Sequence, residues 1–565
     1  MTRHSIDSMT MNKETKVCQN CRGSFVIEPD DFTFYAKMQV PAPTWCPQCR
    51  LLRRLQFRNE TTLYTRTCAL CKKSVVSMYN PKSPYTIYCE SCYNSDQWDA
   101  YTYGVPYDPA RPFMDQLGEL FRAVPKMTLF ADQRRPSVRS EYVNYAGLHK
   151  DCYLLFNATD CENSMYSRGL RYSRETLDVY FGQGLERCYE CVNAVKSTGV
   201  HFAKNATACI DSMFIENASG LQNCFGCVNL RNKSYYFFNE PLEKEEWERR
   251  VGEIRGSYAK LVAAAKRFDA FALQFPHREN SNIKAVDCVG DYLFQSKGMK
   301  NCFEATDSEN CTEAFSVIKV KDSQDITGFG IDSELLYECV GVGGGSQRVI
   351  GSYWVESSRD VQLSYCVSGS SECFGCAGLK HGQYAILNVR YPKEEYERLR
   401  TAIIAELTAS GAYGSFLPPA LSPYAYNETL AQDNFPRSKE EVEALGFRWE
   451  DDIQLTKGKE TLKPEEVPDN ITDVPDSIVN EVLSCVSCDR NYRITPAELG
   501  FYRREVLPLP RSCFNCRHRA RVAKRGPLTV FDRTCAHCGK NIRTTYAPNR
   551  KEVVYCEECY QAEVV

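Results

Sequence analysis

The chain has 565 residues, 30 cysteines and a formal net charge of -3 from 69 basic and 72 acidic residues. That length suits three or more domains, and the balanced charge argues against a protein that coats nucleic acid over its whole surface. The opening MTRHSIDSMTMNKETK has no apolar stretch of an export signal, and no run reaches the length of a membrane span. Regular Cys-x-x-Cys pairs in such a chain read as metal sites in a reducing compartment, with the cytoplasm as the expected location.

Residues 1–16 are expected to be a disordered N-terminus. Residues 17–98 then carry Cys18/Cys21, Cys46/Cys49, Cys68/Cys71 and Cys89/Cys92. A two-residue spacer lets both sulfurs of a pair reach one ion, so each half suits a tetrahedral zinc. Sequential pairing gives one site of Cys18, Cys21, Cys46 and Cys49 and a second of Cys68, Cys71, Cys89 and Cys92; cross-braced pairing is the alternative. Four thiolates close the coordination shell, which favours structural over catalytic zinc. Arg50, Arg53, Arg54 and Arg58 follow the second pair on a short helix. They suit phosphate contact, or a solvated helix face.

The pattern Cys18, Cys21, Phe25, Phe34, Tyr35, Pro41, Pro43, Cys46, Cys49 and Arg50 resembles the zinc-ribbon or treble-clef family, with the family's glycine displaced to Gly23. The second half resembles a short treble-clef finger ending in Tyr-Cys-x-x-Cys-Tyr. These resemblances imply a tandem zinc-finger module and no particular activity.

The middle contains a duplication: residues 223–250 recur at residues 372–399. One repeat with its helix is expected over 99–270 and the other over 271–410. Short apolar runs between Asn, Asp, Ser and Gly suit a stacked β-solenoid of parallel β-helix type, with a pair of β-sandwiches as the alternative. Its 14 cysteines, including Cys188/Cys191, Cys224/Cys227 and Cys373/Cys376, read as interior packing before metal or redox chemistry. One helix is expected over residues 241–268, and a shorter sister over 391–407. Asp151, Asp160, Asp287, Asp291 and Asp307 suit catalysis by residue type alone, and turn roles explain them more simply. Gly343-Gly344-Gly345 reads as a flexible turn.

Residues 411–484 read as a strap with a short helix near Ser438–Leu445, followed by a proline-punctuated surface linker. The duplicated helices and this strap resemble an uncharacterised bacterial family of candidate-phylum genomes, a resemblance that implies no activity. Residues 485–565 repeat the first module: Cys485, Cys488, Cys513, Cys516, Cys535, Cys538, Cys556 and Cys559 each stand 467 positions after a partner. The following helix is more basic, with Arg517, Arg519, Arg521, Lys524 and Arg525. His518 and His537 correspond to Leu51 and Leu70, so neither is required as a ligand.

The expected protein is mainly β with some α: a central duplicated solenoid with bracing helices, flanked by two tandem zinc modules holding about four zinc ions. Its expected function is a non-enzymatic scaffold or adaptor that binds nucleic acid, RNA before DNA, or protein, with no membrane contact and no small-molecule substrate indicated. A solenoid enzyme acting on polysaccharide and a thiol redox sensor are the alternatives.

Overall fold

The computed structural model describes residues 12–130, 137–453 and 456–564. Most of the expected disordered N-terminus, residues 1–11, lies outside the described residues. Its end does not fit that expectation: Glu14–Val17 is a strand paired antiparallel with Ser24–Ile27.

The two terminal modules share one succession of elements. In the first, that hairpin leads to helices Pro29–Met38 and Pro47–Leu55. The second finger adds the hairpin Tyr64–Thr67 and Ser74–Ser77, the strand Ile87–Tyr88 and the helix Glu90–Tyr93. Its counterpart near the other end runs Leu483–Ser484 with Asn491–Tyr492, Pro496–Arg504, Phe514–Arg525, Phe531–Thr534 with Asn541–Thr544, Val554–Tyr555 and Glu557–Val564. Local chemistry starts these helices. Thr495 caps Pro496–Arg504 in a capping box with Glu498, and Pro496 takes the first turn, where no N–H is needed.

The middle is strand-rich and holds two large sheets, of 12 and 11 strands. Pairing within them is parallel except at the last pair of each, Tyr236–Phe237 with Glu240–Pro241 and Gln383–Ile386 with Val389–Arg390. In the first ladder Leu177, Tyr189, His201, Met213, Phe225 and Phe237 are successive neighbours, a step of 12 residues. From Asn163 to Phe238 every third residue has positive φ, so the backbone turns a corner after each two extended residues. Asn, Asp and Gly hold many of these corners because they tolerate the left-handed conformation. Asn193, Asn205 and Asn217 also join their amides from rung to rung, at 2.8 and 3.0 Å.

The residue after a corner is buried in most cases, and is either small or aliphatic. Ser164 donates to the carbonyl of Glu162 and accepts the N–H of Thr176, one rung on. Cysteines take the same place: Cys188 Sγ lies 3.4 Å from the carbonyls of both Glu186 and Ser197. Cys188, Cys191, Cys224, Cys227, Cys373 and Cys376 are all fully buried. Burial pushes the Cys188 thiol up to about 12. The second ladder departs from the 12-residue step at its start, where Val289 pairs with Lys300, and again where Glu334 pairs with Gln347. Beside the second departure Gly343, expected in a flexible turn, is packed instead: a Cβ on it would meet the Gly330 carbonyl at 2.1 Å.

Two other expectations are corrected. The helix expected over residues 241–268 is two helices, Lys244–Ile254 and Tyr258–Ala272. Gly256 breaks it with φ +83°, its carbonyl takes the N–H of Ile471, and Ser257 caps the second helix. Both brace the first ladder, with Trp247 of the first helix against Tyr235 and Phe268 of the second against Phe214. The sister, Lys393–Ala409, stays whole and buries Tyr396, Ile403 and Leu407. The proline-punctuated segment expected as a surface linker is packed down by buried Val467, Ile471, Val474 and Ile478. Inside the strap, Ser438 caps the helix Lys439–Ala444.

Candidate metal centres and the interfaces that hold them

Each finger folds so that four sulfurs converge. The first Cys-x-x-Cys of each sits in a tight turn: Cys18 N–H donates to Gly23 O and Arg22 N–H to Cys18 O, with Arg22 in the left-handed region. Lys72, Asp489 and Gly539 take the same conformation in the other three fingers. The third cysteine is the residue just before a helix and the fourth lies in its first turn, as Cys46 and Cys49 do for Pro47–Leu55. The positive end of the helix dipole therefore faces two thiolates.

The resulting clusters are Cys18, Cys21, Cys46 and Cys49; Cys68, Cys71, Cys89 and Cys92; Cys485, Cys488, Cys513 and Cys516; and Cys535, Cys538, Cys556 and Cys559. Within each, the sulfurs lie within 4.8 Å of one another, so pairing is sequential rather than cross-braced. A tetrahedron of sulfurs about 2.3 Å from a zinc ion has edges of about 3.8 Å. The Cys21–Cys46, Cys71–Cys89, Cys488–Cys513 and Cys538–Cys556 separations are 3.7, 3.8, 3.7 and 3.8 Å. The first sulfur of each cluster accepts the backbone N–H of the third cysteine at 3.1–3.3 Å. Burial alone raises the thiol pKa, but such N–H donors outweigh it and bring Cys68 and Cys535 down to about 6 and Cys485 to about 7. All-thiolate donors in this arrangement fit a tetrahedral ion with no open coordination position. Among the described residues these four clusters are the only groups of three or more Cys, His, Asp or Glu drawn this close.

That result places the other candidates. His518 and His537 lie outside the clusters and face Asp433 and Glu563. The middle Cys-x-x-Cys pairs form no metal cluster, and the five aspartates do not converge. Asp151, Asp160, Asp287 and Asp307 each occupy a corner with positive φ. Asp291 is buried and accepts hydrogen bonds from Ser281, Tyr292 and Thr545.

The basic helices hold the largest departure from expectation. Arg50, Arg53, Arg54, Arg58, Arg517, Arg521 and Arg525 are buried against carboxylates, not presented to solvent phosphate. Arg519 and Lys524 alone among the nine remain exposed. Moreover, the modules dock crosswise. Arg50 and Arg54 of the first module reach Asp325 of the second ladder at 2.9 and 2.8 Å, and Arg54 also reaches Glu338 at 3.1 Å. Arg517 and Arg521 of the second module reach Asp178 of the first ladder at 3.0 and 2.8 Å, and Arg521 also reaches Glu190 at 3.0 Å. Each arginine of one set stands 467 positions from its counterpart.

Repeat distances explain the match. Arginines four apart on a helix rise about 6 Å, and neighbouring rungs of a parallel sheet lie about 4.8 Å apart, so two arginines meet carboxylates on two successive rungs. Aromatic contacts repeat too. Tyr337 packs on Phe34 and Tyr35 at 5.7 and 5.6 Å, and Tyr189 on Phe501 and Tyr502 at 6.2 and 5.6 Å. Burial favours a neutral acid, but Arg50 and Arg54 hold the Asp325 carboxyl below its usual range. Between the two interfaces Arg58, Glu60, Arg168, Glu304 and Arg525 form a buried chain of charges. Arg168 and Arg58 overcome the effect of burial there and bring Glu60 down to about 2. Gly328 admits Arg58, whose Nη1 would lie 1.9 Å from any added Cβ.

Sequence reasoning missed these ladder acids. A signal existed: Tyr-Glu-Cys-Val occurs at residues 189–192 and again at residues 337–340, and both copies are docking rungs. No protein-family model and no curated protein matches the chain. The whole-chain resemblance to an uncharacterised bacterial family therefore finds no support there. No helix among the described residues is long and apolar enough to cross a membrane.

Proposed function

We propose that this protein is a zinc-binding, non-enzymatic scaffold with one zinc ion in each cysteine cluster. Its two ladders are read as a pair of β-solenoids locked together by the terminal modules, which are read as tandem treble-clef fingers. Parallel pairing with a 12-residue step supports the solenoid over the sandwich, whose packed sheets are antiparallel. The observation that carries the reading is the closed set of four sulfurs with tetrahedral edge lengths on a finger whose arginines are committed to the ladder.

This changes the order of the partners. Nucleic acid, RNA before DNA, was expected through nine basic residues, and seven of them are engaged internally. A protein partner on the outer ladder faces becomes the first reading, in the cytoplasm. The polysaccharide enzyme and the redox sensor have less support, because the aspartates are dispersed and the middle Cys-x-x-Cys pairs are enclosed. Native mass spectrometry tests the foundation, with about four zinc ions per chain expected and two or fewer refuting it. RNA retention at low ionic strength that falls steeply with salt would restore RNA as the first partner.

A further inference from the structure

We infer that metal in the first cluster of each module controls whether the opposite ladder stays covered, the ion acting through the arginine helix. This rests on the reading of the clusters as metal sites and adds a metal-dependent latch to it.

In the first module Cys46 and Cys49 open the helix Pro47–Leu55, and Arg50, Arg53 and Arg54 follow at once. A nine-residue helix does not persist alone in water, so its shape depends on the metal at its start and on the ladder it touches. Small all-thiolate fingers lose their fold with their metal. The acids on the far side have no substitute partner. Asp325 and Glu338 are 0% and 1% exposed, and the positive charges bonded to them come from Arg50, Arg53 and Arg54. When the helix loses its register, two buried carboxylates are left uncompensated, which drives that ladder face to open and hydrate. The second module repeats the device: Cys513 and Cys516 open Phe514–Arg525, and Asp178 depends on Arg517 and Arg521.

The second cluster of each module has a different attachment. Its strand, Ile87–Tyr88 or Val554–Tyr555, pairs with Lys126–Met127 or His277–Arg278, and carries no arginine of the latch. Loss of that ion leaves the acid-bearing rungs covered. The latch is also crossed in sequence: the N-terminal module governs the second ladder and the C-terminal module the first.

Hydrogen–deuterium exchange on the full-length chain, with native mass spectrometry on the same samples, tests this. Cys49→Ser is expected to lower the metal count by one and to speed exchange at least tenfold around Asp325 and Glu338, leaving the rungs of Asp178 and Glu190 protected. Cys516→Ser is expected to give the reverse pattern, and Cys71→Ser to lose one ion with both sets protected. The triple variant Arg50→Met, Arg53→Met, Arg54→Met keeps the full metal count and opens the same second-ladder rungs, which separates the latch from general misfolding. A Cys49→Ser protein that loses one ion while the Asp325 and Glu338 rungs stay protected, or that opens the first ladder instead, overturns the latch. Wild-type protein purified without metal overturns the metal reading itself.

Discussion

The first module on the second ladder and the second module on the first ladder share their arginine, aspartate, glutamate and tyrosine contacts, yet differ beside them. Under the first module, Lys126 lies 4.5 Å from the Tyr365 ring centre and donates to the carbonyls of Phe121 and Val124. Around it the Tyr79–Tyr365, Tyr145–Tyr353 and Tyr353–Tyr424 hydroxyl pairs are joined at 2.9–3.3 Å. The equivalent place under the second module holds His277, Glu216 and Lys204, with Glu216 3.7 Å from His277 and 3.5 Å from Lys204. Burial pushes the Lys126 amine down to about 7. Burial works against the Glu216 anion, but Lys204 outweighs it, with help from His277, and brings Glu216 to about 2. Contacts tied to the helix and rung repeats stayed alike, whereas filler positions changed from aromatic to charged where the charges balance one another.

The arginine sets offer the sharpest way to break that likeness. Arg53 adds a third cation at Glu338, 2.7 Å away, while its counterpart in the second module is Ala520. Arg521→Met is therefore expected to cost about 3–5 kcal/mol and Arg54→Met less, because Arg50 and Arg53 still face Asp325 and Glu338. Denaturant midpoints of the two variants measure this, and equal losses would mean that Arg53 contributes nothing.

Acid sensitivity separates the two ladders next. His149 and His201 are buried in the first ladder, and burial lowers them to about 4 and about 3. An unfolded histidine takes a proton near pH 6.5, so the unfolded chain binds more protons than the native one below that pH. Stability from these residues is present above about pH 6.5 and is lost as pH falls toward 3, by up to about 1.4 kcal/mol per pH unit for each group. The aligned positions of the second ladder are Met299 and Ile350, both buried. A His149→Met, His201→Ile protein should thus lose less stability than wild type between pH 6.5 and 4 in chemical denaturation, and parallel curves would refute the assignment.

Lys126 involves one proton and the opposite pH range. Its native pKa of about 7 lies below the ordinary lysine value, so between about pH 7 and 10 the unfolded chain binds the extra proton and stability rises with pH. Lys126→Met is expected to remove a rise of at most about 1.4 kcal/mol per pH unit. Replacing exposed Arg519 and Lys524 with alanine should have the smallest effect, within about 0.5 kcal/mol. The same double variant sharpens the partner question: an RNA interaction that it abolishes would locate that contact on the outer face of the second module.

The sixteen cluster cysteines were legible in the chain because Cys-x-x-Cys spacing is a local constraint, and the exact 467-residue displacement marked which neighbours were dispensable. The strand-rich character of the middle was legible as well, since Asn, Asp and Gly at corners and short apolar runs between them are local requirements of the backbone. The break at Gly256 was less so, because its packing against Ile471 comes from a segment more than two hundred residues away.

The use of the arginines was decided by tertiary structure alone. Arg50, Arg54, Arg517 and Arg521 look like phosphate ligands in a one-dimensional reading, since a guanidinium group carries the same charge whether it faces water or a buried carboxylate. Their partners, Asp325, Glu338, Asp178 and Glu190, lie 271 to 343 residues away along the chain and on the opposite repeat. Only folding brought the helix repeat beside the rung repeat, and removal from water then turned basic surface candidates into the bonds that join the two halves of the molecule.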